Sequence, residues 1–354
     1  LSTLGQEVRS GLQRYARRGR NLVGLLRGRR KARVGITPAE VVWRRNKTAL
    51  LRYEGRGAGR REPAPVLMVP SLINQHYILD LQPGKSLAEY LVAEGFDVFM
   101  VTWGKPGRED RFLTFDDHIE LLLGGAMRAV RAATGTARLH LLGYCVGGIL
   151  TTIYGALHQE AVASMINLAT PVDFHRGGTL AAWMDRKNFD VDLFVEALGN
   201  VPWPLMQLPF HLLRPTAQVT KIVYLADRLW DDRFLDGFVA LETWANDNVS
   251  FPGECYRKYI RDLYQDNLLV RGELEIGGKR VDLRRIACPL LNVMAAEDHI
   301  VPLDSARPIR DLVPHAEEIV MEGGHIGAVV GYKASKKLWP RMAAFMRKAA
   351  PRSM

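Results

Sequence analysis

The residues best suited to chemistry lie in Leu139-His-Leu-Leu-Gly-Tyr-Cys-Val-Gly-Gly-Ile, where an apolar run meets Cys145 between Gly143 and Gly147. A thiol with glycine at both second neighbours has the spacing of a nucleophile on a tight strand-to-helix turn, with cysteine where serine is usual. The glycines let neighbouring backbones approach. The helix start that follows offers unpaired N–H groups and positive potential, which favour a thiolate and an oxyanion alike. A buried structural cysteine beside a chance pair of glycines is the competing explanation, and the strand before and helix after weigh against it.

Such a nucleophile needs a base, and the base needs an orienting acid. Along chains of this design the order is nucleophile, acid, histidine. Leu290-Leu-Asn-Val-Met-Ala-Ala-Glu-Asp298-His-Ile-Val-Pro supplies an acid just past an apolar run, and Ile319-Val-Met-Glu-Gly-Gly-His325-Ile-Gly supplies a histidine in a glycine-rich loop. Glu297 and His299 are the local rivals. An oxyanion hole is expected from the N–H of Val146 and one from Pro70-Ser-Leu-Ile-Asn-Gln-His-Tyr, with Leu72 or Ile73 as the second donor. A cysteine acyl-enzyme is a thioester, so exchange with another thioester is nearly even and transfer to a hydroxyl runs downhill. Cysteine here therefore points to acyl transfer more than to hydrolysis.

These groups must be held by strands and helices. Thr48–Tyr53, Val66–Val69, Val98–Thr102, Leu139–Leu142, Met165–Leu168, Leu290–Met294 and Glu318–Met321 read as strands, most without polar alternation, as for a parallel sheet covered on both faces. The first is closed by the turn Gly55-Arg-Gly-Ala-Gly-Arg-Arg. Ser86–Ala93, Asp116–Ala133, Gly148–His158, Ser305–Leu312 and Pro340–Lys348 read as helices. The alternation predicts a doubly wound, mostly parallel sheet, and with the nucleophile turn an α/β-hydrolase fold. Roughly 100 residues from Asp173 to Asp282, rich in tryptophan and containing the hairpin signal Glu275-Ile-Gly-Gly-Lys, interrupt the pattern and are expected to form an inserted cap or lid. The expected organisation is a basic arm (1–46), a first core part (47–172), the cap (173–282) and a second core part (283–354).

The 354 residues carry a net charge of +10, unevenly spread. Residues 1–34 hold ten arginines and lysines against Glu7, with Leu4, Val8, Leu12, Tyr15, Leu22, Leu25 and Leu26 at roughly helical spacing. This is a basic amphipathic helix suited to an anionic surface or acidic partner, or else a solvated arm; an organelle transit peptide is similar in composition. Three cysteines are too few for a disulfide scaffold, which makes the cytoplasm the expected compartment. No apolar run is long enough for a transmembrane segment. No nucleic-acid recognition motif, metal-ligand spacing or phosphate-binding glycine loop is visible.

From about Leu50 onward the sequence resembles polyhydroxyalkanoate synthases, specifically the short catalytic subunits of the two-subunit classes. The resemblance rests on Asn74-Gln-His-Tyr-Ile-Leu-Asp80-Leu, Val101-Thr-Trp-Gly-Lys-Pro, Asp116-Asp-His-Ile, the Cys145 segment, Thr170-Pro-Val-Asp-Phe174, Gly199-Asn-Val-Pro, Asp298-His-Ile-Val-Pro and Gly324-His325-Ile, in that order. It implies that Cys145 is acylated from (R)-3-hydroxyacyl-CoA and that His325 activates it. Asp298 then supports His325 or acts on the incoming 3-hydroxyl. It also implies substrate contacts from Asn74, Tyr77, Asp80 and Trp244, and a cap around Trp244 that covers the site and contributes to a homodimer. Coenzyme A would enter as substrate, with no cofactor or metal, and the protein would sit at polyester granules in the cytoplasm. Short synthases that pair with an elongated helical partner usually have glutamine after the cysteine, where this chain has Val146, and the Asn74–Leu81 run is closer to the long, single-subunit class. An accessory subunit is expected, its type left open. The other readings are a thioesterase or small-molecule acyltransferase on the same fold, and a catalytically silent partner of a synthase.

Overall fold

Apolar runs without alternation must be covered on both faces, and here they form the middle of an eight-stranded sheet. The structure is a computed structural model that describes residues 2–55 and 61–350. The side chains of residues 1–12, including Leu4, Glu7, Val8, Arg9 and Leu12, and the 56–60 part of the Gly55–Arg61 turn lie outside the described residues. The strands are β1 (Ala39–Arg45), β2 (Thr48–Tyr53), β3 (Val66–Val69), β4 (Val98–Thr102), β5 (Leu139–Tyr144), β6 (Val162–Leu168), β7 (Glu275–Ile276), β8 (Lys279–Arg280), β9 (Leu290–Ala295) and β10 (Glu317–Met321). Their order in the main sheet is β1-β2-β4-β3-β5-β6-β9-β10, antiparallel at β1-β2-β4 and parallel from there on. β7 and β8 make a separate hairpin, whose Gly277 (φ 55°) and Gly278 (φ 72°) supply the left-handed pair that a two-residue turn requires.

Alternation along each central strand divides the core in two. Leu67, Val69, Phe99 and Leu141 join one apolar cluster, and Val66, Met68, Met100 and Leu142 join another. Into the first pack the helix Val146–Leu157 and Phe251, Tyr256 and Tyr259 of the insertion; into the second pack Trp244 and the last helix, Trp339–Ala349.

Three elements differ from the sequence reading. β1 was not expected, because its apolar run is only Val41-Val42-Trp43 between charged residues and its residues are mostly exposed; it is an edge strand paired only with β2. The helix expected over Ser305–Leu312 is broken into Leu303–Ala306 and Ile309–Leu312, because Pro308 lacks the N–H a continuous helix needs and restricts Arg307 before it. The helix expected from Asp116 opens with a π-helical stretch, Asp117–Leu123, before the α-helix Gly124–Thr134. Between β6 and β9 the chain is mostly helical apart from the β7–β8 hairpin, with Trp203–Leu213, Ala217–Arg228 and Asp232–Asn246 as its longest helices. The basic arm forms the helix Ser2–Leu26, and it is not a free arm. Asn21 Nδ2 donates to Leu229 O (2.7 Å), Arg30 pairs with Asp232 and Asp236, and Arg14 lies over the Trp230 ring.

Candidate active site

β5 ends at Tyr144, and the next residue turns the chain. Cys145 has φ 54° and ψ −120°, a conformation that costs a side-chain-bearing residue energy and persists only where the surroundings fix it. They do so by close approach. A Cβ on Gly147 would lie 2.1 Å from Val69 O and 2.5 Å from Pro70 O, and one on Gly148 would lie 1.8 Å from Thr170 Oγ1. Glycine is therefore required where the turn touches the ends of β3 and β6. The Cys145 N–H donates to Leu168 O (2.9 Å), which ties the turn to β6. The helix Val146–Leu157 begins at once, and the Gly148 N–H (2.9 Å) and Ile149 N–H (3.3 Å) close back on Cys145 O, which leaves the Val146 and Gly147 N–H groups at the helix start without an intrahelical acceptor.

Asp298 and His325 follow β9 and β10 and meet at the same edge of the sheet. His325 Nδ1 lies 2.7 Å from Asp298 Oδ2, with the Asp298 side chain fully buried and that of His325 only 9% exposed. The other carboxylate oxygen accepts from the N–H groups of Ile300 (2.9 Å) and Val301 (2.8 Å), so the loop backbone fixes the carboxylate plane. Glu297 and His299, the local rivals, are exposed. Burial alone would lower the His325 pKa. The charge of Cys145 and the hydrogen bond and charge of Asp298 outweigh it and hold the imidazole at about 10. The other imidazole face is covered by Tyr144, ring centroids 5.3 Å apart. The corner thus favours a protonated imidazole beside the Asp298 carboxylate and the Cys145 sulfur, an arrangement able to form and resolve an acyl-enzyme.

The loop after β3 lies beside the thiol. Trp103 Nε1 donates to Pro70 O (3.0 Å), and the Ile73 N–H is already engaged by Ser71 Oγ (3.3 Å), leaving Leu72 as the less encumbered of the two proposed donors beside Val146.

Residues 74–80 and Trp244, the expected substrate contacts, also make ties within the chain. Asn74 Nδ2 donates to Asn248 Oδ1 (2.6 Å), Tyr77 OH to Asp247 (3.0 Å) and Trp244 Nε1 to Gln75 O (2.9 Å), so Asn74, Tyr77 and Trp244 bind the insertion to the core. Asp80 is buried and accepts from Thr37 Oγ1 (2.6 Å), fastening the segment after the arm. Asn74, Tyr77 and Trp244 make their ties where loop and insertion meet, a contact that sequence spacing does not reveal.

The sequence reading also passed over Tyr259 and Tyr264. Five residues apart, they match neither helical nor strand spacing, but Tyr259–Gln265 is π-helical, and its wider turn sets the two rings 5.6 Å apart. Both rings join the apolar cluster that packs Cys145, and burial, aided by the charge at Cys145, pushes the Tyr264 hydroxyl up to about 12. Among the described residues no group of His, Cys, Asp and Glu is arranged to hold a metal ion.

Comparison with known proteins agrees with this architecture. A family model for the alpha/beta hydrolase fold matches residues 64–332, and one for the N-terminus of poly-beta-hydroxybutyrate polymerase (PhaC) matches residues 27–91. The chain is 38% identical to the poly(3-hydroxyalkanoate) polymerase subunit PhaC of Haloferax mediterranei, covering 88% of this chain and 64% of that protein. It is 37% identical to the subunit of the same name from Allochromatium vinosum, covering 88% of this chain and 89% of that one. Among solved structures, an alpha/beta hydrolase fold protein from Nakamurella multipartita superposes with a TM-score of 0.50 at 19% identity, over 88% of this chain and all of that one, a likeness of fold alone.

Proposed function

The chain belongs to the poly(3-hydroxyalkanoate) polymerase family, and from that premise we propose that it builds polyester by passing (R)-3-hydroxyacyl groups from coenzyme A thioesters through Cys145. The supporting observation is the contact of His325 with Asp298 beside a thiol held at φ 54° on a helix start. The Cys145 thiolate attacks the thioester carbonyl, and the Val146 and Leu72 N–H groups take the negative charge that develops on its oxygen. As the bond to coenzyme A breaks, the His325 imidazolium gives its proton to the departing thiolate. The neutral imidazole then accepts the proton of a chain-end or monomer 3-hydroxyl, whose oxygen attacks the Cys145 thioester. The ester forms, Cys145 returns as thiolate and His325 as imidazolium, so protons balance over the cycle. Asp298 keeps His325 in the tautomer and orientation both steps need. Coenzyme A enters only as part of the substrate.

The insertion covers the site, and a homodimer and an accessory synthase subunit belong to the same reading, as does residence at the polymer granule in the cytoplasm. Among the described residues no helix is long and apolar enough to cross a membrane.

The test is incubation with (R)-3-hydroxybutyryl-CoA, following thiol release and product size together, with Cys145→Ala alongside. Thiol release with insoluble polymer, abolished in the variant, is the expected result. Thiol release yielding only free hydroxybutyrate would assign a thioesterase instead.

A further inference from the structure

We propose that the tip of the insertion and the amino-terminal helix form one docking face for an anionic lipid surface. Eighteen large hydrophobic side chains are exposed among the described residues, and twelve of them fall within residues 15–26 and 203–224. Scattered single residues need no explanation; a concentration of this kind does. Helix Trp203–Leu213 buries Met206 and leaves Leu208 and Leu212 outside. Helix Ala217–Arg228 turns Lys221 to Glu242 and Tyr224 to Phe234 on the neighbouring helix, which leaves Ile222 (63%) and Val223 (64%) exposed.

The amino-terminal helix adds the charge. Its Arg14, Arg18 and Asn21 dock on Trp230, Asp227 and Leu229, which fixes the helix against the tip and leaves Tyr15, Leu22 and Leu26 exposed. Residues 8–39 contain no acid, and Arg17, Arg20, Arg27 and Arg29 are exposed. The nearby Asp232 and Asp236 are already paired with Arg30. Exposed apolar side chains bordered by unopposed guanidiniums match the boundary between acyl chains and anionic headgroups. A second copy seated on this face would bring the same arginines together, which costs free energy, and a neutral apolar surface would leave them without a partner. This inference stands apart from the polymerase reading.

The experiment is co-sedimentation of the full chain at low ionic strength with phosphatidylcholine vesicles, with and without phosphatidylglycerol. The wild type is expected to sediment with the phosphatidylglycerol vesicles and to be released by salt. Ile222→Glu/Val223→Glu and Arg20→Glu/Arg27→Glu should each weaken this binding by about tenfold or more. The second pair changes only exposed side chains, so an unchanged far-UV spectrum separates lost binding from lost folding. Equal sedimentation with neutral and anionic vesicles, no sedimentation with either, or unchanged binding by both variants would overturn the proposal. So would a fall in solution mass on Ile222→Glu/Val223→Glu, which would make the face an interface between copies.

Discussion

Around Cys145 the chain is held by backbone and by close approach, and residues 251–281 of the insertion are buried in the same core cluster, whereas the insertion's tip, residues 203–248, reaches the rest of the chain at fewer points, several of them side-chain hydrogen bonds and ion pairs. The thiol's turn is fixed by its N–H to Leu168 O and by glycines that admit nothing larger against Val69, Pro70 and Thr170. The insertion meets the loop after β3 through Asn248, Asp247 and Trp244, and it meets the amino-terminal helix through Arg18 and Asn21 and the segment after that helix through Arg30. A backbone-locked corner tolerates almost no change in shape. A body tied by hydrogen bonds and ion pairs near the surface can loosen without unfolding the sheet, since each tie contributes only about 1 kcal/mol.

Asp298→Asn tests the rigid side of this contrast most severely. It spares the shape but spoils the orientation of His325, and coenzyme A release should fall by about ten-thousand-fold, with some loss of melting temperature at neutral pH because the carboxylate also holds the imidazolium. A fall of tenfold or less would show that the carboxylate is dispensable to the corner.

Alkaline pH is the next probe. The folded pKa of His325, about 10, lies above its ordinary value of 6.5. The stabilisation it supplies is therefore complete below pH 6.5, diminishes as pH rises and is gone above about 10. It should amount to a few kcal/mol at most, on the order expected for a buried, paired group. Removing the first of the charges that raise it, by Cys145→Ala, should shift this loss to lower pH. Urea unfolding between pH 6 and 10 reads the difference, and superimposable profiles would refute the ion pair.

Gly147→Ala places a methyl against two carbonyl oxygens and should cost about 1–3 kcal/mol, with activity falling alongside because the oxyanion loop is displaced. The crystal structure of an unshifted, fully active variant would mean that the turn is less tightly packed than described.

The smallest effect sharpens the other side. Asn248→Ala removes one tie and should cost about 1 kcal/mol. Hydrogen exchange should quicken in residues 200–250 while β3, β5 and β6 keep their protection. Equal quickening in the sheet would mean that cover and corner open as one unit.

Much of the core is legible in the sequence because its determinants are local. A strand buried on both faces must be a continuous apolar run, as Val66–Val69 and Leu139–Tyr144 are. A nucleophile turn must have glycine where no Cβ fits, so Cys145 stands out by its neighbours, and Asp298 and His325 by the strands they follow. β1 was hidden because an exposed edge strand needs no apolar pattern, and the break at Pro308 shows backbone chemistry overriding an apparently helical segment. Other features exist only once distant segments meet. That Asn74, Tyr77 and Trp244 tie two bodies together depends on a loop and an insertion about 170 residues apart. That Tyr259 and Tyr264 share a face depends on a π-helical turn with no sequence period of its own. The choice of Asp298 over Glu297 depends on which carboxylate is buried and held by two N–H groups. Sequence determined which residues could react and on which fold, because strands and turns are specified by near neighbours. Tertiary structure alone decided which polar groups touch, because that depends on packing between segments far apart along the chain.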